Sequence, residues 1–174
     1  MQIFAETERL LLRELLPTDA PGMFELDSDP EVHRYLGNQP VTTIEQSEAL
    51  IAFVRQQYID NGMGRWAVVE KQTGEFIGWA GLKLVEGPTN GRTGYPDLGY
   101  RFIRRAWGRG YATEAARASL QYGFDVLRLP AIYAIADVQN QGSNHVLRKV
   151  GLRFIEEFDL GGVPHNWYEL NRPV

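Results

Sequence analysis

The chain has 174 residues, enough for one domain with a buried core. Hydrophobic residues make up 44% and charged residues 23%, which excludes an intrinsically disordered chain and predicts a globular fold. The net charge of −4 argues against nucleic acid or an anionic membrane as a partner. The absence of cysteine excludes disulfides, thiolate metal sites and a cysteine nucleophile.

The sequence lacks signal-peptide, membrane-spanning and metal-binding patterns, and this predicts where the protein is found and whether it binds a metal. The first residues show no basic flank followed by an apolar stretch, so no signal peptide is predicted. No apolar run approaches the ~20 residues needed to cross a bilayer. His33, His145 and His165 lie far apart without metal-binding spacing and are expected at the surface or at helix ends. We therefore expect a cytoplasmic protein without a metal, as a monomer or a homodimer.

In chain order, the first half predicts one strand, three helices and a hairpin. An apolar run over residues 9–16 indicates the first strand, and turns near Pro17 and Asp29 each precede a short helix. The capping-box spacing from Thr43 to Gln46 starts a longer helix that ends near residue 61. Two apolar runs, residues 66–70 and 76–82, flank a glycine-containing turn and predict a hairpin.

The second half predicts a fourth strand over residues 98–103, a long helix over 111–127 and a fifth strand over 131–138. A short helix over 143–150 and strands over 154–158 and 165–170 complete the chain. No linker or repeat interrupts the order, so residues 1–174 are predicted to form a single α/β domain. Its mixed sheet has about seven strands and helices on both faces.

A glycine turn, Gly108-Arg-Gly110, joins the fourth strand to the long helix. Such a turn leaves backbone N–H groups unpaired at the positive end of the helix dipole, which makes an anion site. Arg104, Arg105 and Arg109 add positive charge, and glycine lets a phosphate approach the backbone closely. From these residues alone, the alternative to an anion site is an ordinary turn that contains two glycines and solvent-exposed arginines.

Two common phosphate motifs do not fit this turn. A dinucleotide-binding fingerprint needs Gly or Ala where Thr113 stands, and it follows the first strand of a fold. A nucleotide-binding P-loop needs a Gly-Lys pair, which the chain does not contain.

The stretch from Arg105 to Gly110 resembles the acetyl-CoA motif of the GNAT N-acetyltransferase superfamily, Gln/Arg-x-x-Gly-x-Gly/Ala. The wider run from Leu98-Gly-Tyr to Tyr111-Ala-Thr-Glu is similar to the branch that contains the RimJ/RimL-type ribosomal-protein N-acetyltransferases. So is the later segment that begins Asn140-Gln-Gly-Ser143. The resemblance implies a GNAT-like, mostly antiparallel, twisted sheet and acetyl-CoA as co-substrate.

The resemblance also implies which residues bind acetyl-CoA. The backbones of residues 102–104 would hold the acetyl-pantetheine arm between splayed fourth and fifth strands, and the amides of residues 108–113 would hold the pyrophosphate. Asn140 would reach the pantetheine or acetyl end, and Ser143 would cap the short helix or contact the cofactor. The implied set is Phe102, Ile103, Arg104, Arg105, Gly108, Arg109, Gly110, Tyr111, Ala112, Thr113, Asn140 and Ser143.

The catalytic groups are less defined. Many superfamily members carry a general-acid Tyr where this chain has Leu147, so the general acid is unassigned and Leu147 is expected in the core. Asp97 is a candidate general base, against the alternative of an exposed carboxylate at a strand end. Ser143 is a second catalytic candidate. Candidates for the acceptor site, with core packing as the alternative for each, are Tyr35, Trp79 and Tyr168.

We expect direct attack of a neutral amine on the thioester, with no covalent enzyme intermediate. An α-amine has a reference pKa of about 7.7–8.0, against about 10.4 for lysine, and needs less help to lose its proton. This favours the N-terminal α-amine of a protein or peptide as acceptor. The alternatives are a small-molecule amine, such as an antibiotic, polyamine or amino acid, and a sensor that binds acetyl-CoA without transfer.

Overall fold

The computed structural model describes all residues, 1–174, and contains one sheet of eight strands with five α-helices. The strands are β1 (Ile3–Glu6), β2 (Leu10–Arg13), β3 (Trp66–Glu70), β4 (Phe76–Val85), β5 (Tyr95–Phe102), β6 (Ala131–Asp137), β7 (Arg153–Leu160) and β8 (Val163–Asn171). The helices are α1 (Ala20–Asp27), α2 (Pro30–His33), α3 (Ile44–Asn61), α4 (Tyr111–Asp125) and α5 (Gln141–Lys149). None of them is both long and apolar enough to cross a membrane.

The strand order is β1-β2-β3-β4-β5-β6-β8-β7, and every neighbouring pair is antiparallel except β5 and β6. The predicted mixed, mostly antiparallel sheet is therefore confirmed. The strand that the sequence did not predict is β1, which pairs with β2 from Ile3 opposite Arg13. Its four residues are too few to show a periodic pattern. Their extended conformation comes from pairing with β2.

Helices cover both faces of the sheet, as predicted. We call the two faces the α4 face, which α4 and α5 cover, and the α3 face, which α1 and α3 cover. On the α4 face, Ala115 and Leu120 of α4 lie in apolar clusters with Val68 of β3 and Ile132 of β6. On the α3 face, Met23 of α1 and Ile51 of α3 share a cluster with Trp79 of β4.

A cleft opens in the middle of the sheet between β5 and β6. The two strands are paired only where Asp97 faces Tyr133. Beyond that point β5 continues to Phe102, paired with β4 alone, and β6 continues to Asp137, paired with β8 alone. We call this gap the β5–β6 cleft; its apex lies at Asp97, and its open end lies between the glycine turn and the start of α5.

Candidate active site

The glycine turn has the backbone conformation that a phosphate site needs. Gly108 and Gly110 have φ values of +73° and +81°, in the left-handed region that strains any residue with a side chain. A Cβ atom added to Gly108 would meet nothing within 4 Å, so the space above the turn is open. Gly110 is the N-cap of α4.

Consecutive backbone N–H groups from Gly108 to Thr113 donate to no acceptor in the protein; the next one along the chain, of Glu114, donates to the carbonyl of Gly110. They lie at the positive end of the dipole of a 15-residue helix. The predicted pyrophosphate site therefore has both the free donors and the open space that it requires.

The arginines of the turn are all engaged in ion pairs. Their side chains are about half exposed, at 54%, 50% and 52% for Arg104, Arg105 and Arg109. The pairs are Arg104 with Asp29, Arg105 with Glu25 and Glu75, and Arg109 with Glu70. The hydrogen bond from Arg104 holds the pKa of Asp29 below its ordinary value. Because each guanidinium is about half exposed, a phosphate group can reach it and share or replace the carboxylate partner, although Glu70 itself is nearly buried.

Only some of the backbone groups predicted to bind the acetyl-pantetheine arm are free at the end of β5. The Ile103 N–H donates to the carbonyl of Ile77 at 2.9 Å, and the Ile103 carbonyl accepts from Ala106 at 2.8 Å. The Ile103 N–H is therefore not free to bind the arm. Since peptide groups alternate along a strand, those of Tyr100 and Phe102 point to the opposite edge, into the cleft. The Phe102 carbonyl already accepts from Nε1 of Trp107 at 2.7 Å, so the N–H is the part of this peptide group that is left for the arm.

The far wall of the cleft is the start of α5. Asn140 caps this helix, since its side-chain oxygen accepts from the Ser143 N–H at 3.2 Å. The Tyr100 hydroxyl lies 3.2 Å from both the Oγ and the carbonyl oxygen of Ser143 and so bridges β5 to α5. Burial raises the pKa of Tyr100, which keeps its phenol neutral. Sequence reasoning did not single out Tyr100, although it belongs to the Leu98-Gly-Tyr run.

Asp97 is not an exposed strand-end carboxylate. It is 7% exposed, and its Oδ2 accepts from Nη2 of Arg65 at 2.6 Å. Arg65 also donates to the carbonyl of Gly81 at 2.7 Å, and burial lowers its pKa. The guanidinium lies over Gly99, where a Cβ atom would be 2.3 Å from Nη2. Asp97 thus reaches the apex of the cleft as one half of a buried ion pair.

A second buried polar cluster lies on the α3 face, between α1, α2 and β5. Asp27 Oδ1 lies 3.0 Å from Nε2 of His33 and accepts from Arg101 at 2.7 Å. His33 ends α2, one of the two positions expected for it, but at 8% exposure it is buried and the surface alternative is wrong. No local pattern reveals this cluster, because its members come from three separate elements.

The three acceptor-site candidates differ in how far their side chains are exposed. Tyr35 is half-buried beside Arg34. Trp79 is 7% exposed, and the guanidinium of Arg101 lies 4.5 Å from its ring centroid. Tyr168 is completely buried and has no surface with which to contact an acceptor.

Tyr168 instead helps to fix α5 to the sheet. Its hydroxyl donates to Asn144 at 2.6 Å, and the Asn144 amide nitrogen donates to the carbonyls of Asp137 and Asn140 at 2.9 and 2.8 Å. Leu147 is 1% exposed and lies in the core of the α4 face, as predicted.

Comparison with known proteins identifies the family. The model described as acetyltransferase (GNAT) domain matches residues 9–153. The chain is 32% identical over 147 residues to the uncharacterized N-acetyltransferase p20 of Bacillus licheniformis, covering 84% of this chain and 80% of that protein. It is 38% identical over 159 residues to spermidine N(1)-acetyltransferase of Escherichia coli K12, covering 89% of this chain and 81% of that protein.

The fold agrees with a solved structure. The GNAT-family acetyltransferase from Bacillus anthracis superposes with a TM-score of 0.80 at 25% identity, covering 99% of each chain. The predicted fold class and enzyme class are thereby confirmed. The chain belongs to the GNAT acetyltransferase family and is an N-acetyltransferase.

Proposed function

We propose that this enzyme transfers an acetyl group directly from acetyl-CoA to a primary α-amine. The observation that supports this most is the row of unpaired N–H groups from Gly108 to Thr113, which lies next to the open end of the β5–β6 cleft. These amides would hold the pyrophosphate, and the cleft-facing N–H of Phe102 would bind the arm that carries the thioester.

The residues around the cleft supply the remaining steps. The amine attacks the thioester carbon, a cleft-facing N–H group of β5 stabilises the developing oxyanion, and the carbon–sulfur bond breaks to release the CoA thiolate. Tyr100 and Ser143 carry the hydroxyl groups that could give this thiolate a proton. Asp97 is the carboxylate closest to the apex and our candidate to receive the proton of the amine.

The α-amine is favoured because the base available to remove its proton is already ion-paired. Asp97 is held by the Arg65 guanidinium at 2.6 Å, so accepting a proton from the amine would cost it that ion pair. An acceptor with a reference pKa of about 7.7–8.0 is partly neutral near pH 7.5 and needs little help, unlike a lysine side chain. The N-terminus of a protein or peptide, as in the RimJ/RimL-type branch, stays within this proposal.

A small-molecule polyamine is the second candidate, since one relative is a spermidine N(1)-acetyltransferase. The third, from another class, is a sensor that binds acetyl-CoA without transfer. Release of free CoA thiol should be measured with peptides whose N-terminus is free or blocked, with amino acids, and with spermidine. We expect release with free α-amines and none with blocked ones. Tight binding of acetyl-CoA without release in any reaction would support the sensor and contradict the proposal.

A further inference from the structure

Lys83 occupies a distinctive place on the α3 face. It lies on β4 directly opposite Asp97 of β5, at the level where β5 and β6 are last paired. The apolar contacts of α1 and α3 with this strand centre on Trp79, nearer its start than Lys83. Its side chain therefore lies close to the apex of the β5–β6 cleft, where an acceptor would meet the thioester.

Lys83 is half-buried and forms none of the ion pairs of the chain. The carboxylate opposite it, Asp97, is already bound by Arg65 at 2.6 Å, and both of those side chains are nearly buried. Burial lowers the pKa of Lys83, and the positive charge of Arg65 adds to that effect. The ammonium group has lost part of its water shell without gaining a partner.

The charges around Lys83 leave one positive charge without a counter-charge. Asp97 is paired with Arg65, and Asp27 is paired with Arg101. Of the three cations Arg65, Arg101 and Lys83, only Lys83 is in no ion pair. A half-buried cation of this kind attracts an anion and repels a further cation.

We propose that Lys83 binds a carboxylate of the acceptor, so that the acceptor is an amine of the amino-acid class and not a polyamine. This inference rests on the proposed acetyl transfer to an α-amine and narrows its acceptor. A carboxylate at Lys83 would restore the interactions that the ammonium lost on burial. It would also place the amine of the same molecule near the apex of the cleft. A polyamine would bring several positive charges to a site that already has an unpaired one.

The test compares acceptors that differ only in the carboxylate. Initial rates of CoA release should be measured for the proteinogenic amino acids, for their primary amides, and for spermidine. We expect kcat/KM to be at least about tenfold higher for the best amino acid than for its amide, and lowest for spermidine. Lys83→Met should remove this preference by raising KM for the amino acid, with KM for acetyl-CoA unchanged, whereas Lys83→Arg should retain part of it.

Lys71→Met serves as the matched control. Lys71 is a surface lysine that pairs with Glu6, away from the cleft, and its loss should leave both KM values unchanged. The inference is overturned if amides react as well as amino acids, if spermidine is preferred, or if Lys83→Met lowers the rates of both acceptors equally. Failure of every amine to react, with acetyl-CoA still bound, would instead contradict the proposed function itself.

Discussion

At the scale of single residues, the ion pair between Asp97 and Arg65 determines the charge and the proton-accepting group at the apex of the cleft. Their side chains are 9% and 8% exposed and are joined at 2.6 Å. The desolvation of two charges is offset only while both are present. Any change at Asp97 therefore alters stability as well as chemistry, and the two effects have to be measured separately.

For Asp97→Asn we expect a loss of about 3–5 kcal/mol in the free energy of unfolding, because Arg65 is left as a buried charge without a counter-charge. Urea denaturation measures this loss. The double variant Arg65→Met, Asp97→Asn should recover part of it, since it removes the orphaned charge. Equal stability of Asp97→Asn and the parent would show that the pair is not buried in solution.

The same variant tests proton removal. If Asp97 is the base, kcat/KM per folded enzyme should fall most at acid pH, where the α-amine is protonated, and least at high pH, where it is already neutral. The measurement is a pH–rate profile of both proteins with one acceptor. Superimposable profiles would remove Asp97 from proton transfer and leave positioning and the oxyanion amides as the source of catalysis.

Leu147, at the position for which the sequence left the general acid unassigned, is packed in the core with 1% exposure. Leu147→Ala should lower the free energy of unfolding by roughly 2–5 kcal/mol through loss of packing. Its kcat per folded enzyme should change little, because the side chain has no group to donate a proton. A large fall in kcat at an unchanged melting temperature would contradict the packing role.

The glycine turn presents a row of backbone donors within one element. Its unpaired N–H groups belong to the first turn of α4 and to the three residues before it, Gly108 to Gly110. Glu114, in the same turn, accepts from the hydroxyl of Thr7 at 2.6 Å and from the backbone of Arg9 at 3.0 Å. The start of α4 is thereby fixed to the β1–β2 turn, which keeps these unpaired N–H groups in place.

Gly108→Val should weaken binding of CoA by at least about tenfold, because a β-branched residue is strained at a φ of +73° and covers the phosphate site. Gly62→Val is the control: Gly62 ends α3 with a φ of +67° and, like Gly108, has open space around it. Both variants should lose stability, but only Gly108→Val should lose affinity in calorimetric titration. Equal CoA affinity of the folded Gly108→Val variant and the parent would refute this site.

At the scale of the whole molecule, carboxylates join elements that are distant in sequence. Glu114 links α4 to the β1–β2 turn. Burial alone would raise its pKa, but hydrogen bonds from Thr7 and Arg9 hold it below the ordinary 4.5. Backbone and Arg55 hydrogen bonds likewise lower the pKa of Glu14. These contacts make the stability of the fold dependent on pH in the acid range.

A carboxylate whose pKa is lower in the folded state contributes stability above its unfolded pKa and loses it as the pH falls through the folded value. We therefore expect the contribution of Glu114 to be complete above pH 5 and to fall below about pH 4.5. Urea unfolding of the parent and of Glu114→Gln at a series of pH values measures this. The two curves should converge at low pH; a constant difference down to pH 3 would contradict the role of the charge.

The sequence by itself determined the order of the helices and of seven of the eight strands, the glycine turn and the family, because hydrophobic periodicity and turn residues act over short stretches of chain. It predicted a phosphate site from Gly108 to Thr113 because a run of free amides is a local property of a helix start. It also predicted Leu147 in the core, where the structure finds it 1% exposed.

Only the tertiary structure decided which side chains meet around the cleft. No local pattern encodes these contacts, because their partners come from different elements: Arg65 with Asp97, Asp27 with His33, and Tyr100 with Ser143. That Lys83 has no partner also depends on the folded structure. The same holds for β1, which is a strand because β2 lies beside it. Burial and pairing set whether a charged group is neutralised or free to bind a ligand, and both depend on the packing of the complete fold.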